Sequence, residues 1–364
     1  MGKVLKWFAT TTGKIILVVI VLLIGIRIAL PYIIIKYVNK TLDELPEYDG
    51  RIADVDLHIY RGAYSIEGLE IVKTGGKIPV PFFSAEKIDL SVEWRALFDG
   101  SLVAKIELLR PKINFVAGPT KAQSQKSIDN SWQDKVRELF PLRINSFKVI
   151  NGEVHYRDFH NDPKVDVYLQ DIMVTATNLT NSKDLSKSLV ASIDASGGAM
   201  GSGRFKVGVD LDPYAKQPTF NLDMSVTNIS LVKLNDFLRA YGNFDVERGT
   251  FGLYGEVVAK SGRFEGYLKP MFKELKVISW KEDHKNVLEF LWEAVVGTVA
   301  EIFENQPKEQ IATRIPLSGS FKDPQPDIWS TIGTLIRNAF IQALVPGIEQ
   351  RLTFKDLDEK KDKK

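Results

Sequence analysis

A chain of 364 residues exceeds one average domain but fits a single large β-domain. Its 48 Lys and Arg nearly balance 46 Asp and Glu, for a net charge of +2, which excludes the electrostatic footprint of a nucleic-acid binder. With no cysteine, zinc ribbons, thiol nucleophiles and disulfide frameworks are excluded together, so burial and hydrogen bonding alone must hold the fold.

The first element is an apolar helix. Between Lys14 and Lys36 the only charged residue is Arg27, and Ile15 to Ile26 is unbroken apart from Gly25. The apolar character resumes at Ile28 and runs through Ile35, with Pro31 as a kink point. About 20 apolar residues cross a bilayer core, so residues 15–35 predict a transmembrane anchor. Ile15, Ile26, Arg27, Tyr32 and Tyr37 are its expected membrane contacts, with Arg27 snorkelling to the interface. A secretory signal peptide competes for this position, but it has a shorter apolar stretch and a small-residue cleavage site. The sequence here continues Tyr32-Ile33-Ile34-Ile35-Lys36-Tyr37. Lys3, Lys6 and Lys14 precede the span without an acidic neighbour, so residues 1–14 should stay cytoplasmic and the body should lie across the membrane. Residues 36–50 keep a helical pattern and read as a juxtamembrane helix or linker, lying on the membrane surface or simply connecting.

From Arg51 the period becomes two, and residues 51–322 read as a β-domain. Val55, Leu57 and Ile59 alternate with polar residues, as do Ile88, Leu90 and Val92, then Ile106 and Leu108. Ile113 and Phe115 follow Pro111, then Phe147 and Val149, with Val154 and Tyr156 after Asn151-Gly152. Later runs hold Val207 and Val209, then Leu222, Met224 and Val226, then Phe251, Leu253 and Val257. Further runs lie at Val165–Leu169, Leu189–Ile193, Phe264–Leu268 and Ile315–Phe321. Such alternation marks strands with one apolar and one polar face. Asn-Gly between two alternating runs is a strong hairpin signal. A loose repeat, Tyr60-Arg61-Gly62-Ala63-Tyr64, Ile150-Asn151-Gly152-Glu153-Val154 and Glu247-Arg248-Gly249-Thr250-Phe251, predicts hairpins on one growing sheet.

Helices are few. Residues 130–140 form a candidate, and 231–241 places Leu234, Phe237, Leu238 and Tyr241 on one face. Residues 287–304 and 323–350 carry amphipathic stripes. In the second of these, Ile336 and Phe340 are candidates for a membrane or partner contact. The charged tail, 351–364, reads as disordered.

Roughly a dozen strands carry an apolar face that must be covered. A sandwich or barrel covers it with the sheet itself, whereas an open groove covers it with lipid chains, at about 0.8 kcal/mol for each buried methylene. The alternation alone leaves both open. No catalytic constellation emerges. His155 and His160 flank Asp158 with no third ligand and no helical spacing, so they and His58 and His284 read as loop histidines and no metal is predicted. The glycines between Gly197 and Gly203 precede no G-K-[ST] and read as a flexible hairpin loop, and G-x-S-x-G is absent. The chain is therefore expected to be a non-enzyme without a cofactor.

Several stretches resemble AsmA-like bacterial envelope proteins. These are Tyr60 to Ile71, Ala85-Glu86-Lys87-Ile88-Asp89-Leu90-Ser91-Val92, Leu97 to Val103 and Ile106-Glu107-Leu108-Leu109-Arg110-Pro111-Lys112-Ile113. Ile144 to Asp158 and Lys269 to Phe321 resemble a short, uncharacterised branch of the same group. The resemblance implies a mainly β fold: an N-terminal transmembrane helix, then a long, twisted antiparallel sheet curled into an open apolar groove, with a few amphipathic helices near the C-terminus. It implies a single-pass protein of the bacterial inner membrane, its N-terminus cytoplasmic and its bulk periplasmic. The partners implied are membrane phospholipids, together with other envelope proteins or further copies of the chain. The family is similar to bridge-like lipid-transfer proteins, so the implied function is lipid binding or transfer along the groove. An envelope scaffold with a closed β-sandwich body is the alternative. About fifteen strands at about 4.8 Å give a groove near 70 Å, short for bridging a periplasm alone.

Overall fold

The computed structural model describes residues 11–58, 62–92, 103–125, 143–179, 191–212, 215, 217–242, 244–277, 310–312 and 314–320. The predicted helices 130–140, 287–304 and 323–350, the charged tail, Ile59, Ile336 and Phe340 lie outside them.

Helix α1 (Thr11–Asp43) has 33 residues, about 50 Å at 1.5 Å per residue, and so exceeds a hydrocarbon core of about 30 Å. Leu17–Asp43 is long and apolar enough to cross a membrane. Exposure changes along it. Val18, Ile28, Tyr32 and Ile33 are exposed, whereas Val38, Thr41 and Leu42 are buried against the body. The helix continues through the expected juxtamembrane stretch as far as Asp43, and its last turns dock on the first strands. The Asn39 side-chain oxygen accepts from the Ile52 amide at 2.8 Å, and a Cβ on Gly50 would stand 2.9 Å from Leu42 Cβ. A strand thus begins inside the expected linker.

Among the described residues fifteen strands form one sheet. In chain order they are β1 (Tyr48–Arg51), β2 (Asp54–His58), β3 (Ala63–Lys73), β4 (Phe83–Val92), β5 (Val103–Leu109), β6 (Lys112–Ala117), β7 (Arg143–Asp158) and β8 (Val165–Thr177). Then come β9 (Ala191–Ala199), β10 (Gly203–Leu211), β11 (Phe220–Ser230), β12 (Val246–Lys260), β13 (Arg263–Val277), β14 (Gln310–Ala312) and β15 (Ile315–Ser320). The order is β1-β3-β4-β5-β7-β8-β9-β10-β11-β12-β13-β14. Three positions are filled by tandem short strands: β1 and β2 on β3, β5 and β6 beside β7, β14 and β15 on β13. The sheet is therefore about 50 Å across its strands rather than 70 Å.

Two further expectations need correction. The sheet is mixed, since β7 runs parallel to both β5 and β6. A parallel neighbour needs a connection of a dozen residues or more, and residues 118–142 separate β6 from β7 in sequence. Moreover, Asn151-Gly152 is not a hairpin turn but lies inside β7, with Asn151 at φ 56° and a register shift against β8 between Val149 and Gly152. Gly249 likewise sits inside β12. Both sites are β-bulges, which bend a strand and exchange the faces of its odd and even residues. Gly68, Arg110 and Asp171 also take positive φ, and the Arg110 amide bonds the Ile150 carbonyl at 2.8 Å. Positive φ thus recurs on β3, between β5 and β6, and at the paired irregularities of β7 and β8. The expected glycine-rich loop is short: only residues 200–202 separate β9 from β10.

Between β11 and β12 lies α2, with a 3₁₀ turn at Leu231–Leu234, an α turn at Asn235–Phe237 and a π turn at Leu238–Gly242. Among the described residues the hydrophobic core has three parts. Val38, Leu42 and Leu45 join Ile66, Ile88 and Leu90 beneath the end of α1. Phe237 and Leu238 of α2 join Tyr156, Val165 and Phe272. Val209, Leu211, Phe220 and Leu222 form the third.

Candidate functional site: the apolar face of the sheet

Registration across the sheet produces two adjacent rows on one face. The first runs Val55, Ile66, Ile88, Leu108, Val149, Val174, Ala195, Val207, Met224, Gly255, Leu268 and Ile315, each opposite the next. The second runs Leu57, Tyr64, Leu90, Ile106, Phe147, Ala176, Ile193, Val209, Leu222, Val257, Gly266 and Leu317. Tyr64 brings the only polar atom in either row. Between them, on the opposite face, the row reads Asp56, Ser65, Asp89, Glu107, Lys148, Thr175, Asp194, Gly208, Asp223, Glu256 and Tyr267. The sheet is amphipathic along its whole length.

The remaining sequence candidates fall on the apolar face as well. Val92 pairs with Ala104, Val154 and Tyr156 pair with Leu169 and Val167, Val226 pairs with Leu253, and Phe251 pairs with Phe272. Sequence reasoning missed Tyr64, Ile66, Phe220 and Phe264 as site residues, although each sits in an alternating run. It also missed the small residues Ala191, Ala195, Gly197 and Ala199 of β9, whose role is spatial. A Cβ on Gly197 would stand 2.7 Å from the Phe205 ring. Cover varies along the face. Leu90, Tyr156 and Val209 are at most 2% exposed, whereas Val92, Leu108, Val207, Met224 and Val257 are half-buried.

A cluster of polar groups meets this face at Asp158. The Tyr241 hydroxyl of α2 donates to Asp158 Oδ2 at 2.7 Å and lies 3.3 Å from the Tyr156 hydroxyl. Asp158 also accepts from the His160 amide at 2.8 Å and the Asn161 side chain at 2.9 Å. On the opposite face His155 is buried in β7, so it is not a loop histidine. Its Nδ1 lies 2.7 Å from Asp166, its Nε2 lies 3.2 Å from Glu153, and its ring stacks on Tyr168. Burial of Asp166 works against its ionised form, but His155 and Arg157 outweigh it and lower its pKa. Among the described residues no three His, Cys, Asp or Glu converge as a metal site.

Burial pushes the hydroxyls of Tyr48, Tyr64 and Tyr156 up to about 12 and that of Tyr241 higher still. An unfolded tyrosine ionises near 10.0, so their contribution to stability is intact below that pH and is lost as pH rises through about 12. In an alkaline titration, the share of tyrosinate absorbance that belongs to these four hydroxyls should therefore rise together with loss of the β circular-dichroism signal, above pH 10. Complete ionisation near pH 10 with the sheet intact would refute the burial argument.

Compared with family models and with curated proteins, the chain finds no match in either.

Proposed function

We propose that this chain is a membrane-anchored lipid-handling protein whose sheet shelters acyl chains along the two apolar rows. What supports the reading is the unbroken pair of rows from Val55 to Ile315, with half-buried members on β5 and β10 to β12. Lipid along a curled sheet would cover them at about 0.8 kcal/mol per methylene. A two-sheet sandwich body is less well supported, because the described strands belong to one sheet. The anchor is α1, whose docked end sets the β1–β3 edge at the membrane surface. With Lys3, Lys6 and Lys14 on the cytoplasmic side, the body stands in the periplasm, as in AsmA-like proteins of the bacterial inner membrane. Phospholipids are its ligands, and its role is phospholipid transport or maintenance of the outer membrane. A sheet of about 50 Å needs further copies or an envelope partner to bridge, or it acts as a carrier.

The test is lipid mass spectrometry on the full chain purified in mild detergent, with stoichiometric phospholipid expected. Its absence sinks the proposal. Orientation is read in the same cysteine-free chain: Ser261→Cys, in an exposed turn, should react with a membrane-impermeant maleimide from the periplasmic side. Labelling only after the inner membrane is opened would reverse the topology.

A further inference from the structure

The segment joining β11 to β12 leaves the sheet at Leu231, crosses the apolar face and reaches Asp158 on β7, four strands away. This strap buries Leu231, Phe237, Leu238 and, just beyond it, Phe244, roughly as much hydrocarbon as one long acyl chain. Beneath it lie Ala117, Tyr156, Val165, Val167, Ala199 and Phe272. That surface continues the two rows sideways, on β7 and β8 past the irregularities at Asn151 and Asp171.

The strap is fastened unevenly. At its base Asn235 clamps Val246 twice: its amide group donates to the Val246 carbonyl at 3.0 Å, and its oxygen accepts from the Val246 amide at 2.9 Å. At the far end the fastening is polar, the hydrogen bond from Tyr241 to Asp158. Between the two, three different helical turns follow one another, so no long cooperative hydrogen-bond ladder stiffens the segment. The result is a compact loop with closed ends, a firm base and a releasable tip.

We infer that the surface beneath the strap is a second acyl-chain subsite, occupied in the closed state by the strap's own side chains and uncovered when Tyr241 leaves Asp158. In this inference one acyl chain lies along the rows and the uncovered subsite receives the second chain of a diacyl lipid. This rests on the lipid reading above.

The experiment compares uptake of palmitate and of a fluorescent diacyl phospholipid by the full chain in detergent, the diacyl lipid being offered in phosphatidylethanolamine–phosphatidylglycerol vesicles. Tyr241→Phe keeps the ring and removes the latch. It should raise diacyl uptake about fivefold, the equilibrium share of one hydrogen bond, and leave palmitate uptake unchanged. Leu234→Ala, which loosens the strap's apolar contact instead, should act in the same direction and serves if the first variant folds poorly. Folded variants with wild-type diacyl uptake overturn the subsite and make the strap ordinary core. An equal rise for both ligands also overturns it, as general loosening. If the wild-type chain takes up neither ligand, the lipid reading falls first, and the subsite falls with it.

Discussion

Leu108→Asp is expected to lower phospholipid co-purification at least about a hundredfold while leaving the sheet folded. Leu108 stands in the first apolar row between Ile88 and Val149, so a carboxylate there meets any acyl chain lying along the row. An ionised group against hydrocarbon costs several kcal/mol, and each 1.4 kcal/mol is about tenfold in binding. The fold survives because Leu108 is half-buried and its replacement can reach water, at a loss of about 2 kcal/mol, the low end for such a core change. Leu90→Asp is the matched control. Leu90 is 1% exposed, so the same charge has no route to solvent and should unfold the β1–β6 end of the sheet. Lipid mass spectrometry and thermal melts separate the two cases. If Leu108→Asp merely unfolds like Leu90→Asp, that position is closed core and not a lipid surface.

Gly249→Val is the second large effect, an expected destabilisation of about 3–5 kcal/mol seen as a lowered melting temperature. Gly249 takes φ 140°, where a β-branched residue is strained whatever the space. The space is also absent, since a Cβ would stand 2.9 Å from Leu231 Cδ1 and 3.1 Å from the Leu275 Cα. Because Leu231 begins the strap, the damage should spread to the Phe237 and Phe272 cluster. Gly208→Ala provides the contrast. Its Cβ meets nothing within 4 Å, so the melt should move little. A mild Gly249→Val would mean that the bulge is not rigid.

Much of this was legible in the sequence. Alternation placed nearly every strand, because a sheet with one solvated face writes its period directly into residue polarity. The apolar stretch from Ile15 to Ile35 predicted α1, since a membrane-length helix needs only length and hydropathy. The Asn151-Gly152 motif misled for a physical reason. A tight turn and a bulge both need a positive φ between two alternating runs, and only the partner strand distinguishes them. Here β8 supplies the matching irregularity at Asp171, and the chain goes straight on. Val149 and Val154 differ in parity yet share a face, which sequence took as the mark of a turn.

What the sequence determined by itself is local: an apolar N-terminal helix, a body of strands, and which side chain in each strand is apolar. Those follow from hydropathy and period, properties of neighbours along the chain. The tertiary structure alone decided how strands register into two unbroken rows, that β7 runs parallel to β5 and β6, that α1 docks its last turns on β1, and that Tyr241 finds Asp158. Each of these joins residues far apart in sequence. Their spacing is set by bulges, crossovers and packing, which leave no periodic trace in the chain.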